Sequence, residues 1–176
     1  MSLPKVQDVE RLSTHGGSLR VWACREEATH GQTAAVEALL AAEAGAGMTS
    51  MAYYRGFQPL ADRIKDEFLS FLLQAKREGK CVAGYGAAAK GNTLLNYAGV
   101  RPDLLAYVVD ASPHKQGLYL PGSHIRVVDE AVLRESRPDF IVVLPWNLRD
   151  EITAQLSYIR DWGGRFVTAI PQLELD

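Results

Sequence analysis

The stretch Gly84-Tyr85-Gly86-Ala87-Ala88-Ala89-Lys90-Gly91-Asn92, residues 84–92, decides how the rest of the chain is read. It follows a short apolar run, Lys80 to Gly84, and opens a helical pattern from Ala87 to Tyr97 that closes near Gly99. Gly84, Gly86 and Ala89 match the G-x-G-x-x-G/A spacing, in which missing side chains bring backbone amides up to a phosphate at a helix N-terminus. Lys90 adds a cation in the first helical turn, where it opposes the helix dipole by about 0.3–1 kcal/mol unless an anion sits nearby. Asn92 is placed to donate to the same anion. The order Lys-Gly, in place of Gly-Lys-Ser/Thr, sets the segment apart from the P-loop.

Working outward, the chain alternates short apolar runs with helical segments. Leu104 to Asp110 reads as a second strand, Ile125 to Val128 as a third and Asp129 to Glu135 as a helix. Phe140 to Leu144 is a fourth, continuously apolar strand. Leu148 to Trp162 is a helix ended by Gly163-Gly164, and Phe166 to Ile170 is the last strand. Buried-strand runs separated by helices predict an α/β domain over 59–176, a doubly wound parallel sheet of strand order 3-2-1-4-5. In that order the ligand crevice opens where the first and fourth strands end, at Gly84 to Lys90 and at Pro145-Trp146-Asn147.

Asp110 closes the second strand at the position of a ribose-binding acid, so a stand-alone NAD(P)-binding or regulatory module is an alternative reading. Packing accounts for the same residues in another way: Gly84 and Gly86 allow close strand–helix contact, and Asp110 caps the next loop. Ser112-Pro113-His114-Lys115-Gln116-Gly117 lies on the same rim, which makes His114 and Lys115 further candidates for ligand contact. His15, His30, His114 and His124 show no metal-ligand spacing, and no Ser-His-Asp order, carboxylate pair or nucleophile elbow is present. His15 has the pKa of a general base by residue type, but its place in a turn favours a surface role. The pattern is that of a binding domain more than of a complete catalyst.

Before residue 59 the character differs. VQDVERL and SLRVWACR flank Ser13-Thr14-His15-Gly16-Gly17 and predict a hairpin within residues 1–30. A lone hairpin is marginal in water, so it is expected to belong to a sheet that lies outside this chain. Residues 31–58 form a helical linker: Gln32 to Ala44 is helical and Met48 to Gln58 reads as a loop carrying Tyr53, Tyr54 and Phe57. Pro59 then starts an amphipathic helix with Ile64, Phe68, Phe71, Leu72 and Ala75 on one face, closed by Gly79. Met1-Ser2-Leu3 reads as an added start.

The 176 residues carry 19 basic and 21 acidic side chains, a formal charge of −2 that argues against nucleic acid or an anionic membrane as partner. The longest apolar stretch, Ala34 to Ala42, contains Glu37 and is far shorter than the roughly 20 residues of a membrane span. Cys24 and Cys81 stand far apart with no CxxC pair, so a cytoplasmic location without disulfides or zinc is expected.

Taken together, VERLSTHGGSLRV (9–21), GYGAAAKGNTLLNYAG (84–99), VVDASPHKQGLYLPGSHI (108–125) and PDFIVVLPWNLRDEI (138–152) resemble the S-adenosylmethionine-dependent sugar C-methyltransferases that act on nucleotide-linked keto-deoxysugars. The resemblance implies that this chain is the C-terminal, Rossmann-like domain, with residues 4–25 as the last strands of a preceding methyltransferase domain. It implies a zinc module and S-adenosylmethionine bound mainly outside this chain, with none expected on the chain alone, which is then inactive by itself. The implied reaction removes a proton beside a ketone and transfers a methyl group to the resulting carbanion. The implied partners are the methyltransferase domain and a nucleotide-linked sugar gripped between the domains, with Gly84, Gly86, Lys90, Asn92, His114 and Lys115 as its contacts. Leu118 stands where relatives often carry Arg, a charge lost next to the phosphates. A third reading makes the sheet wholly structural and the domain a docking surface.

Overall fold

A computed structural model describes residues 4–176; Met1 to Leu3, read above as an added start, lie outside the described residues. The chain divides into two compact units at Leu60/Ala61.

In the first unit, β1 (Lys5–Leu12) and β2 (Ser18–Cys24) pair antiparallel, joined by a 3₁₀ turn at Thr14–Gly16. The two-stranded sheet gains no third strand among the described residues. The segment before α1 (Ala34–Gly45) fastens onto β1 instead: Thr33 N–H donates to Gln7 O at 2.9 Å, Thr33 Oγ1 to Asp8 Oδ1, and Lys5 Nζ to Ala28 O at 2.7 Å. Val36 of α1 is buried, while Leu19, Val21 and Trp22 of β2 remain exposed. The expected loop at Met48 to Gln58 is helical: α2 spans Met51–Arg55 and α3 spans Phe57–Arg77. Pro59 is the third residue of α3, still in the first turn, where a missing N–H costs no helical hydrogen bond. Tyr53, Tyr54 and Phe57, which suggested a loop, stay exposed on helices.

The second unit is a six-stranded sheet. Its strands are β3 (Val82–Tyr85), β4 (Val108–Val109), β5 (Val127–Val128), β6 (Phe140–Val143), β7 (Arg165–Thr168) and β8 (Glu174–Leu175), in the order β5-β4-β3-β6-β7-β8. All neighbours are parallel except β7 and β8. Beyond the five expected strands, β8 is therefore an addition, a two-residue antiparallel edge too short and polar to leave an apolar run in the sequence. Alternation along the strands builds two cores. Val82, Val108, Val142, Leu144 and Val167 meet Phe68, Leu72 and Ala75 of α3, Leu94 and Leu95 of α4 (Ala89–Tyr97), and Ala98 just after it. Ala83, Tyr85, Val109, Ile141, Val143 and Phe166 meet Leu133 of α5 (Ala131–Ser136), Ile152 of α6 (Arg149–Gln155), and Leu156 and Ile159.

Two expected elements are shorter than their apolar runs. The second strand is only Val108–Val109, because Leu104 and Leu105 turn back to bond Arg101 O. The helix expected over Leu148 to Trp162 breaks at Leu156 and continues as a 3₁₀ segment, Ser157–Trp162. There Gln155 Nε2 reaches Tyr85 Oη at 3.0 Å and Tyr158 Oη reaches Glu130 Oε1 at 2.9 Å, tertiary bonds that outweigh local helix propensity. No helix among the described residues is long and apolar enough to cross a membrane.

Close backbone approach holds α4 against β6. A Cβ placed on Gly91 would lie 2.5 Å from Leu144 Cβ, so only glycine fits. Overpacking of this kind costs about 1–3 kcal/mol, which opposes the roughly 1 kcal/mol that alanine gains over glycine in a helix. Gly91→Ala is expected to lower the urea midpoint, and Gly91→Val to lower it further; a rise in both would show that helix and strand stand farther apart.

At the amino end of the sheet, Asp139 accepts from Lys80 Nζ and from Cys81 N–H, each at 2.8 Å, tying β3 to β6. The Lys80 hydrogen bond, aided by the Cys81 amide, holds the Asp139 carboxyl below its ordinary value. A depressed folded-state pKa stabilises the fold above the usual carboxylate value near ~3.9 and ceases to do so as pH falls through the folded value. Partial exposure keeps the effect small. Asp139→Asn is therefore expected to lower stability at pH 7 and to flatten its fall below pH 4 in urea titrations.

Candidate functional site

The carboxyl ends of β3, β4, β6 and β7 form one rim. On it the loop after β3 is not an open cradle. Gly84 N–H donates to Tyr107 O at 2.8 Å and Gly86 N–H to Val109 O at 2.7 Å, both within the β3–β4 ladder. Ala87 N–H donates to Asp110 Oδ2 at 2.8 Å. A Cβ on Gly84 would meet Val108 Cγ2 at 3.0 Å, and one on Gly86, where φ is +87°, would meet Pro145 Cδ at 2.6 Å. The two glycines expected to present amides to a phosphate instead use them in the sheet and let β3 pack against its neighbours. Gly91, outside that spacing, makes the close helix–strand contact.

Asp110 is the hub of the loops. Its Oδ2 accepts from Ala87 N–H and from Lys115 Nζ at 3.1 Å, and its Oδ1 accepts from Ser112 N–H at 2.9 Å. Lys115 Nζ also donates to Ala87 O at 3.1 Å, and Gln116 Nε2 to Asp110 O at 3.0 Å. The side chain of Asp110 is 12% exposed. A carboxylate so engaged is a structural clasp, which accounts for its position without a ribose. Lys115, expected as a ligand contact, is half of that clasp. His114 is exposed on the same loop, and Leu118 and Tyr119 beyond it are exposed too. The side chain of His15 lies outside the described part of the structure. Among the described residues no group of three or more His, Cys, Asp or Glu is arranged to hold a metal ion.

The cation remains at the rim. Lys90 Nζ sits 5.6 Å from the centroid of the Trp146 ring, so residues that follow β3 and β6 meet at the expected crevice. The first-turn amides of α4 precede the helix's own hydrogen bonding on this side. Asn92 lies one turn on. Its Oδ1 is buried with no hydrogen-bond partner among the described residues. Beside Trp146 the rim opens into a cleft of about 480 Å³ lined by Trp146, Asn147, Arg149, Thr168, Ile170 and Glu174, among others. Arg149 pairs with Glu174 at 2.5 Å inside it, and Thr168 is buried. Arg149, Thr168 and Glu174 escaped the sequence reading; the run Trp146-Asn147-Leu148-Arg149 held the one signal, since it continues the rim loop already singled out.

The model of the C-methyltransferase C-terminal domain matches residues 13–171. The chain belongs to that family. The match begins at Ser13, between the two strands of the hairpin, so β2 falls within the C-methyltransferase C-terminal domain as its relatives define it. A similar protein is the C-methyltransferase NovU of Streptomyces niveus, 33% identical over 168 residues, which cover 96% of this chain and 40% of NovU. The chain thus spans well under half the length of that relative.

For the Asp110 clasp the expected outcome is structural. Asp110→Ala leaves two backbone amides and an ammonium without their acceptor and is expected to destabilise the fold by about 1–3 kcal/mol in urea unfolding. NADH added to the unaltered chain is expected to leave tryptophan fluorescence unchanged; saturable quenching abolished by the milder Asp110→Asn would restore the dinucleotide reading.

Proposed function

We propose that this chain is the nucleotide-sugar-binding part of an S-adenosylmethionine-dependent C-methyltransferase whose substrate is a nucleotide-linked keto-deoxysugar. The observation that carries the reading is the meeting of Lys90 and Trp146 at the carboxyl ends of the central strands β3 and β6. Open α/β sheets bind ligands where adjacent strands connect in opposite directions, and here those strands are β3 and β6. An ammonium suits a diphosphate, and an indole face suits the apolar face of a sugar or base. The neighbouring cleft, with Asn147, Arg149 and Thr168, has room for a ring of that size. Family membership and the similarity to NovU support the methyl-transfer class.

In this reading Lys90 neutralises phosphate charge, Trp146 lies against the adjoining ring, and Asn92, one turn on, is a further contact. His114 is a peripheral contact. Gly84, Gly86, Asp110 and Lys115 hold the loops in place without touching the ligand. The methyl donor is held by a preceding methyltransferase domain of the same polypeptide. The exposed apolar residues of β2, Leu19 and Val21 on one face and Trp22 on the other, are suited to that domain.

The test is steady-state kinetics on the full-length enzyme. Lys90→Ala is expected to raise KM for the nucleotide-sugar by about tenfold or more, as loss of a charge-assisted phosphate contact does, with kcat nearly unchanged. Trp146→Ala is expected to act in the same direction. Unchanged KM in both variants would leave the rim without a substrate role.

A further inference from the structure

At the opposite rim of the sheet two arginines, Arg134 and Arg137, line one pocket with a single carboxylate, Asp161. Arg137 ends α5 three residues before β6 begins, whereas Trp146 follows β6, so the two lie at opposite ends of that strand. A pocket of about 250 Å³ opens there, lined by Arg134, Arg137, Asp161 and Trp162. Among the described residues neither Arg134 nor Arg137 forms an ion pair, although the nearby Arg160 is paired with Asp176.

Both guanidinium-bearing residues are held in place by the fold. The Arg134 guanidinium lies 3.6 Å from the centroid of the Tyr158 ring. That ring is fixed by its hydrogen bond to Glu130 and by contact with Trp162 at 5.8 Å between centroids. Trp162 is anchored in turn by Nε1–H donation to Pro138 O at 3.1 Å. Arg137 has φ +46° and ψ +60°, the left-handed conformation that closes a helix, with its N–H on Leu133 O at 2.9 Å. Glycine or asparagine is the favoured occupant of such a position. An arginine kept there at a cost in backbone energy points to a use for its side chain.

We propose that this pocket binds a phosphate group. Two guanidinium forks in a space of this size suit a tetrahedral oxyanion, and the pocket is smaller than the usual range for drug-sized ligands. Asp161 selects among oxyanions: its carboxylate accepts from the hydroxyl of a protonated phosphate and repels a fully ionised sulfate. The group is either free inorganic phosphate or the terminal phosphate of a small phosphomonoester.

Calorimetry on the whole chain carrying Lys90→Ala, which removes the cation of the other rim, tests this apart from the proposed function. Inorganic phosphate is expected to bind saturably in the millimolar range or tighter and to bind more tightly than sulfate. Arg134→Gln or Arg137→Gly, added to that background, is expected to weaken phosphate binding by about tenfold or more. Arg137→Gly is also expected to keep or raise the thermal midpoint, because glycine adopts the left-handed conformation without strain. Glucose 1-phosphate binding more tightly than inorganic phosphate assigns the site to a phosphomonoester; the reverse order assigns it to the free ion. Phosphate affinity unchanged by both arginine substitutions, sulfate bound as tightly as phosphate, or no saturable binding at millimolar phosphate overturns the proposal.

Discussion

Along the middle of the six-stranded sheet, the backbone of β3 and α4 runs so close to the side chains of Val108, Leu144 and Pro145 that three of its positions have no room for a side chain of their own. Gly84 faces Val108 and Leu144, Gly86 faces Pro145, and Gly91 faces Leu144, each at distances a Cβ would not tolerate without displacement. That closeness sets the positions of the loops after β3 and β6. Lys90, one residue before Gly91, and Trp146, one residue after Pro145, are carried to the same place on the rim by the contacts of their neighbours.

The same closeness decides the electrostatics. A loop of consecutive amides at a helix start is a natural anion site, yet the Asp110 carboxylate already occupies part of it. It binds Ala87 N–H from the loop, Ser112 N–H from its own turn and the Lys115 ammonium. This internal anion joins the ends of β3 and β4 and leaves attraction for an external one to Lys90 and the first turn of α4. Arg134 and Arg137 at the other rim share no hydrogen bond or ion pair with this network among the described residues.

In the first unit a two-stranded sheet leans on the chain that follows it. Bonds from Lys5, Thr33 and Gln32 to main-chain and side-chain oxygens close one side of the hairpin. The apolar residues of β2 stay open to solvent, as do Met51, Tyr53, Tyr54 and Phe57 on the helices beyond. In the proposed function this apolar surface faces the preceding methyltransferase domain.

The hairpin, the amphipathic face of α3 and the parallel character of the sheet were legible in the residues themselves, because period-two alternation, period-3.6 spacing and continuous apolar runs are local properties. Family membership was legible in long ordered motifs. The meeting of Lys90 with Trp146 followed from strand order, which short connections and crossover handedness constrain. What only the tertiary structure decided was which donors of residues 84–92 remain for a ligand. Gly84 and Gly86 read as phosphate contacts until Tyr107 and Val109 took their amides, and Lys115 read as a ligand residue until Asp110 took its charge. Hydrogen bonds saturate, and the acceptors of the Gly84, Gly86 and Ala87 amides come from the β4 end of the sheet, 23 residues further along the chain. No spacing rule within a motif registers a competitor at that distance. The cleft beside Trp146 was hidden for the same reason, since its walls come from the loop after β6, the start of α6, the end of β7 and a two-residue edge strand whose sequence carries no pattern of its own.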